Sequence, residues 1–224
     1  AIWACWDEGT KLDFRGDFYT HTLMTPFFNP GPNPYGKPRI FLAAVGTVMT
    51  EVAGEVADGL ICHGFTTRRY FDEVTRPALE RGRAKAGKTL EGFEISGPMF
   101  VVTGRDEDEM ARAAKGVRGQ IAFYGSTPAY RKVLELHGWG DLHTELHRLS
   151  LAGDWDAMGR LIDDEMLHAF AVVAPVEELA ARIRDRCDGV IDRVLVGFPA
   201  SFDEDTIASV VADLRRPFTP PRSS

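Results

Sequence analysis

Four short apolar segments of the sequence have the pattern of β-strands. Each is an unbroken or nearly unbroken apolar run next to Pro or Gly, which is typical of strands that are buried on both faces. The runs are Ile40–Val45, Gly59–His63, Phe93–Val102 and Asp192–Gly197. The third run contains Pro98, which predicts a bend or a sheet edge at that point.

A helical pattern fills the interval between the first two runs. Val48, Val52 and Val56 recur every fourth residue, so we expect this stripe to lie against a sheet. Only one short helix connects the two strands, and such a crossover favours a parallel βαβ unit. The alternation continues downstream, which predicts a parallel α/β architecture, either doubly wound or a barrel.

Capping residues predict where the remaining helices begin. One helix is expected over 67–86 with a break before Pro77, and Asp106 with Glu109 forms a capping-box pattern for the next. A helical insertion over about 127–170 has Thr127, Asp141 and Asp154 as expected N-caps. A helix is predicted over 177–186, and a last one capped by Ser201 runs to Leu214.

The two ends of the chain have a different texture. Residues 1–10 resemble the last turns of a helix that Gly9 ends. Residues 11–39 form a proline-rich connector, in which the prolines are expected to interrupt regular backbone hydrogen bonding. Residues 217–224 are predicted to be a disordered tail. We therefore expect one partial domain over 1–216.

Composition excludes several classes of protein. With 44% hydrophobic and 26% charged residues the chain of 224 residues is globular, and its net charge of −7 with scattered basic residues argues against nucleic acid. Its three cysteines form no CxxC pair, so a disulfide framework and a thiolate zinc site are not indicated, and a reducing cytoplasm fits best. No apolar run approaches the ~20 residues of a membrane helix, so no membrane partner is expected.

The turn after the first strand is the most informative candidate site. It carries Gly46 between a strand end and a helix start, and the amides of Thr47, Val48 and Met49 could hold a phosphate there. The alternative is a plain tight turn capped by Thr47. A single glycine is too weak a motif to decide between them.

Other polar residues are weaker candidates. His63 ends the second strand, where it is either a proton donor or ligand contact or a loop histidine without a role. His143 and His147 share a helical face, but Thr144 stands where the zinc protease motif requires Glu, so surface histidines are favoured over a metal site. The acidic run 163–165 is read as a solvated face and Cys62 as core.

Several segments together resemble the luciferase-like monooxygenase family. They are Lys37–Gly46, Glu51–Ile61 with its Ala-Gly-x-x-Ala-Asp-Gly stretch, Gly119–Tyr130, His137–Trp139 and Asp192–Val196. The downstream segments are similar to the branch that uses the deazaflavin coenzyme F420. The resemblance spans roughly 1–215.

The resemblance implies a (β/α)8 TIM-barrel fold, of which this chain would supply strands five to eight. It implies that cofactor phosphate lies at Val45, Gly46, Thr47, Val48 and Met49. The family's catalytic residues come mainly from strands one to four, which are expected to be missing here, so the catalytic residues stay unknown.

The resemblance also bears on substrate. Relatives acting on glucose 6-phosphate carry a basic residue just after the sixth strand, where this chain has His63 and the residues that follow it. That residue is absent, which argues against a sugar phosphate, and Arg68 or Arg69 are the nearest substitutes.

Two functions remain open from the sequence. The first is an oxidoreductase that transfers a hydride between F420, or alternatively FMN, and a small organic substrate. The second is a non-catalytic flavin-binding or structural fragment of such a barrel. A half barrel would leave strand edges unpaired, so we expect a homo-oligomer or a rearranged open sheet.

Overall fold

A computed structural model describes residues 1–216, which form two compact units, 1–40 and from Phe41 onward. The first unit contains α1 (Ile2–Glu8), which Gly9 ends at φ +66° as expected. It also contains a small antiparallel pair, β1 (Phe14–Arg15) and β2 (Thr20–His21). The proline-rich connector therefore contains one short pair of hydrogen-bonded strands. The predicted tail 217–224 lies outside the described residues.

The second unit is built on a parallel sheet of five strands. They are β3 (Phe41–Ala44), β4 (Gly59–Cys62), β5 (Glu94–Val102), β6 (Ala171–Val173) and β7 (Arg193–Val196). The predicted parallel α/β sheet is confirmed, and the four predicted strands agree with the observed ones to within one residue at each end. Strand β6 was not predicted, because its three residues are too few to show a period.

Strand β5 organises this sheet. Its residue Ser96 pairs with Ile61 of β4 and with Arg193 of β7, so these two strands lie on opposite edges of β5. The far end of β5, Phe100–Val102, pairs with β6. Among the described residues the sheet is open, with β3 at one end of the strand order, and it does not close into a barrel.

Helices cover the sheet and form the insertion. They are α2 (Thr47–Val56), α3 (Arg68–Tyr70), α4 (Arg76–Lys85), α5 (Glu107–Gly125), α6 (Arg131–Leu136), α7 (Gly140–Ala152), α8 (Trp155–Arg160), α9 (Asp164–Phe170), α10 (Val176–Cys187) and α11 (Glu204–Arg215). A short 3-10 turn, Pro128–Tyr130, precedes α6. Within residues 1–216, none of these helices has both the length and the apolar character needed to cross a bilayer.

A π-helical turn, Phe71–Thr75, joins α3 to α4 just before Pro77. Proline has no backbone N–H, and its ring would collide with the carbonyl four residues earlier in a regular helix. A widened turn accommodates this, so the predicted break is present without ending the helix.

Helix caps follow the sequence in part. Asp106 accepts the N–H of Glu109 at 2.7 Å, as the capping box predicts. Asp154 caps α8 as expected. Thr127 precedes the 3-10 turn at Pro128, but its side chain makes no capping hydrogen bond. Two expected caps are wrong: α7 begins after Trp139 rather than at Asp141, and Asp203 rather than Ser201 caps α11.

The valine stripe of α2 does not lie against the sheet. Val48 and Val56 are 76% and 65% exposed, whereas the buried residues of α2 are Thr50, Ala53 and Gly54. The buried face packs on α4, and a Cβ on Gly54 would lie 2.5 Å from the carbonyl oxygen of Leu79. Small residues let the two helix backbones approach closely, and this contact sets the rotation of α2.

Candidate active site

Two predicted site segments meet at the carboxyl edge of the sheet. Strands β3 and β4 are parallel and pair Ala44 with Cys62, so the residues that follow, Val45 and His63, lie side by side. An open pocket of about 430 Å³ lies over this edge. It is lined by Ala43, Ala44, Val45, Gly46, Met49, Ile61, Cys62, His63 and Pro98.

The turn beside this pocket exposes backbone donors. Gly46 is the N-cap of α2, it has no side-chain cap, and its carbonyl accepts the N–H of Thr50 at 2.9 Å. The helix offers no acceptor for the amides of Thr47, Val48 and Met49, and the positive end of its dipole lies there. The cap is Gly46 and not Thr47, so the expected cap is wrong, and a plain tight turn stays the alternative interpretation.

Open space adjoins this turn. A Cβ on Gly46 would meet no other atom within 4 Å. The side chains of Thr47 and Val48 do not line the pocket, so these two residues could contact an anion there only through their backbone. Backbone donors and open space of this kind could hold an anion such as the phosphate of a flavin or deazaflavin.

His63 is held in one tautomer. Its Nδ1 accepts the backbone N–H of Phe65 at 3.0 Å, so in the neutral ring the proton is on Nε2. The ring stacks on Tyr130 and meets Tyr124 edge-on, both with centroids 4.7 Å away. Burial lowers the pKa of His63 below its ordinary value of 6.5. At neutral pH the side chain is therefore an uncharged hydrogen-bond donor.

The helical insertion supplies the walls around this histidine. Tyr124 lies at the end of α5 and Tyr130 in the turn before α6. The insertion also contacts the segment after β4 through a hydrogen bond of 2.8 Å between Nε2 of His137 and Oγ1 of Thr67. Sequence reasoning gave the two tyrosines no role, although both stand in the segment Gly119–Tyr130. Their aromatic side chains were the one feature of the sequence that could have indicated packing against His63.

The two arginines proposed for substrate do not line this pocket. Arg68 donates to Asp72 at 2.7 Å and to the carbonyl of Asp188 at 3.0 Å. Arg69 donates to Glu73 at 2.8 Å. Each guanidinium group thus pairs with a carboxylate four residues later in the sequence, and neither arginine lines the pocket at His63.

His143 and His147 make hydrogen bonds to backbone carbonyls at the end of α5. The Nδ1 atom of His143 donates to the carbonyl of Gly125 at 2.7 Å, and Nδ1 of His147 donates to that of Ser126 at 3.1 Å. His143 is buried, so the expectation of two surface histidines is wrong for it. Within residues 1–216 no three His, Cys, Asp or Glu side chains converge as a metal site would require.

Cys62 lines the pocket but is poorly suited to nucleophilic chemistry. Its side chain is buried, and burial raises the pKa of its thiol to about 11. The thiolate is the reactive form, and it is scarce at neutral pH. Cys62 also packs in the apolar cluster beneath α2 and α4, so it belongs to the core as expected.

The sequence matches the family described as luciferase-like monooxygenase over residues 1–193. The chain belongs to this family. An uncharacterized protein of Mycobacterium tuberculosis (strain H37Rv) is 58% identical over 216 residues, which are 96% of this chain and 63% of that protein. The chain therefore spans less than two thirds of that relative.

More distant relatives have described activities. The 5,10-methylenetetrahydromethanopterin reductase of Archaeoglobus fulgidus is 26% identical over 204 residues, covering 88% of this chain and 58% of that enzyme. The solved coenzyme F420-dependent tetrahydromethanopterin reductase of Methanopyrus kandleri superposes with a TM-score of 0.69 at 19% identity. That match covers 94% of this chain and 58% of the reductase, and it shows a shared luciferase-like fold.

Proposed function

We propose that this chain carries the cofactor-phosphate site of a luciferase-like oxidoreductase that uses coenzyme F420, with FMN as the alternative. One observation carries the proposal: a single pocket brings the predicted turn and His63 together at the carboxyl edge of the sheet. Ligands of parallel α/β enzymes bind at this edge. The solved reductase of Methanopyrus kandleri depends on coenzyme F420, and this similarity favours F420 over FMN here.

In this proposal the backbone at the turn binds the cofactor phosphate. The amides of Thr47, Val48 and Met49 donate to it, Gly46 leaves room for it, and Val45 continues the wall of the pocket. A bound deazaflavin supplies the hydride chemistry, and the protein supplies position and charge. The residues from Val45 to Met49 thus fix one end of the cofactor.

His63 is proposed as a neutral donor toward the ligand. Its Nδ1 is occupied by the amide of Phe65, which leaves Nε2–H for an oxygen or nitrogen of cofactor or substrate. Its stacking against Tyr130 restricts the ring to one orientation. The substrate is an unidentified small organic molecule in this proposal, and Arg68 and Arg69 have no part in it because neither lines the pocket.

Titration of the purified chain with oxidised and reduced F420, and separately with FMN, tests the proposal. We expect an absorbance or fluorescence change that saturates with F420 and a weaker response to FMN. Absence of saturable binding to both cofactors would reject the site. Binding without turnover in a substrate screen would favour the non-catalytic fragment.

A further inference from the structure

A second cavity lies on a different part of the second unit. It measures about 530 Å³, opens to solvent, and shares no lining residue with the pocket at His63. One wall is the edge strand β6, and the other side is lined by charged residues of α3 and α10. The lining is Arg68, His168, Ala171, Val172, Val173, Arg182, Asp185 and Arg186.

Arg186 is the most buried of the three arginines that line this cavity. Its side chain is half-buried and donates to the backbone carbonyls of His168 and Ala169, which end helix α9. Within residues 1–216 it forms no ion pair with a carboxylate. Burial and the nearby charge of Arg68 both lower the pKa of Arg186. A partly desolvated guanidinium of this kind is stabilised by a counter-ion.

The other two arginines add positive charge to the same space. Arg182 has one ion pair, to Glu178 at 3.1 Å, and its side chain is 59% exposed. Arg68 has one, to Asp72 at 2.7 Å, and its side chain is 45% exposed. A guanidinium has five N–H donors, so each keeps unused donors. Asp185 is the single carboxylate among the lining residues, against three guanidinium groups.

We propose that this cavity binds a phosphate-type oxyanion through Arg68, Arg182 and Arg186. Guanidinium forks match the geometry of phosphate oxygens, and the three arginines line one cavity, so Arg is the residue type best suited to such recognition there. The apolar side chains of β6 beside the arginines leave room for an organic group attached to the anion. This site is separate from the proposed cofactor pocket.

The test is calorimetric titration of the full chain with inorganic phosphate, at constant ionic strength and with chloride as the reference anion. We expect saturable phosphate binding that Arg182→Gln and Arg186→Gln each weaken about tenfold, the loss of one charge-assisted hydrogen bond. Arg69→Gln is the matched control, because Arg69 is also paired at i,i+4 spacing but does not line the cavity.

Three outcomes would overturn the proposal: phosphate binding no stronger than chloride, equal loss in Arg69→Gln, or no loss in Arg182→Gln. Arg182 is more exposed than Arg186 and caps no helix, so its variant remains informative if Arg186→Gln does not fold. F420 titration of Arg182→Gln separates the two sites. Unchanged F420 affinity together with weakened phosphate binding supports this cavity independently of the proposed function.

Discussion

The imidazole of His63 lies nearly parallel to the phenol ring of Tyr130, with an interplanar angle of 21° and ring centroids 4.7 Å apart. His63 follows a strand of the sheet, whereas Tyr130 belongs to the helical insertion 67 residues later. The insertion therefore does more than cover the sheet. It determines the surroundings, and with them the ionisation, of the histidine in the candidate site.

The first prediction concerns the titration of His63. Burial disfavours the charged ring, so we expect its pKa below 6.5, and Tyr130→Ala should raise this pKa toward that value by admitting water. NMR titration of the histidine ring protons, assigned with His63→Gln, measures both. A His63 pKa at or above 6.5 would contradict the described burial.

Stability should depend on pH for the same reason. Folded His63 binds a proton less readily than the unfolded chain, so its contribution is complete above pH 6.5 and is lost as the pH falls below that value. His137 acts in the same direction, since burial also lowers its pKa. Urea unfolding at pH 7.5 and 5.5 should show a smaller pH effect in His63→Gln than in the unchanged chain. An equal effect in both would reject this source of acid sensitivity.

The proposed phosphate site predicts opposite effects of one substitution on folding and binding. Gly46 has φ −84° and ψ 156°, which any residue can adopt, and Asp is a favourable N-cap. We expect Gly46→Asp to keep or slightly raise the unfolding free energy while it weakens F420 binding about tenfold or more through charge repulsion. Gly46→Asn is the neutral control of nearly the same shape. Equal weakening by Asp and Asn would argue against an anion at this turn.

Close packing of α2 against α4 predicts the effect of glycine replacement. A Cβ on Gly82 would overlap the carbonyl oxygen of Glu51, so Gly82→Ala should lower the unfolding free energy by ~1–3 kcal/mol or more. Gly116 of α5 has open space around it, so Gly116→Ala should raise the unfolding free energy by up to ~1 kcal/mol through helix propensity. Chemical denaturation measures both changes. Stabilisation by both variants would contradict the close approach of α2 and α4.

The exposed valines of α2 lead us to expect self-association. Val48 and Val56 present apolar surface on the helix that follows β3, the first strand in the sheet order. Replacing both with Lys should shift the chain toward monomer in light scattering. Leu151→Lys, at an equally exposed site on α7, serves as control. A monomeric unchanged chain, or an equal shift in the control, would reject this surface.

Local patterns were sufficient for four of the five strands of the described parallel sheet and for most of the helices. The runs around Phe41, Leu60 and Leu195 predicted their strands because each lies between turn-forming residues, which is a local feature. Asp106 and Asp154 predicted their helix starts because a cap is a contact over three residues. The sequence also predicted the turn at Gly46, since a glycine between a strand and a helix is a local feature, and ligand binding at this turn stays a prediction.

Contacts between distant residues decided the rest. The orientation of α2 depends on the close approach of Gly54 to Leu79 and of Gly82 to Glu51, so the valine stripe alone predicted the wrong buried face. The tautomer and surroundings of His63 depend on Phe65, Tyr124 and Tyr130, and the cluster at Arg186 gathers side chains from 68 to 186. A periodic pattern records which residues are apolar. Only the packed chain determines which surfaces cover them and which charges share one cavity.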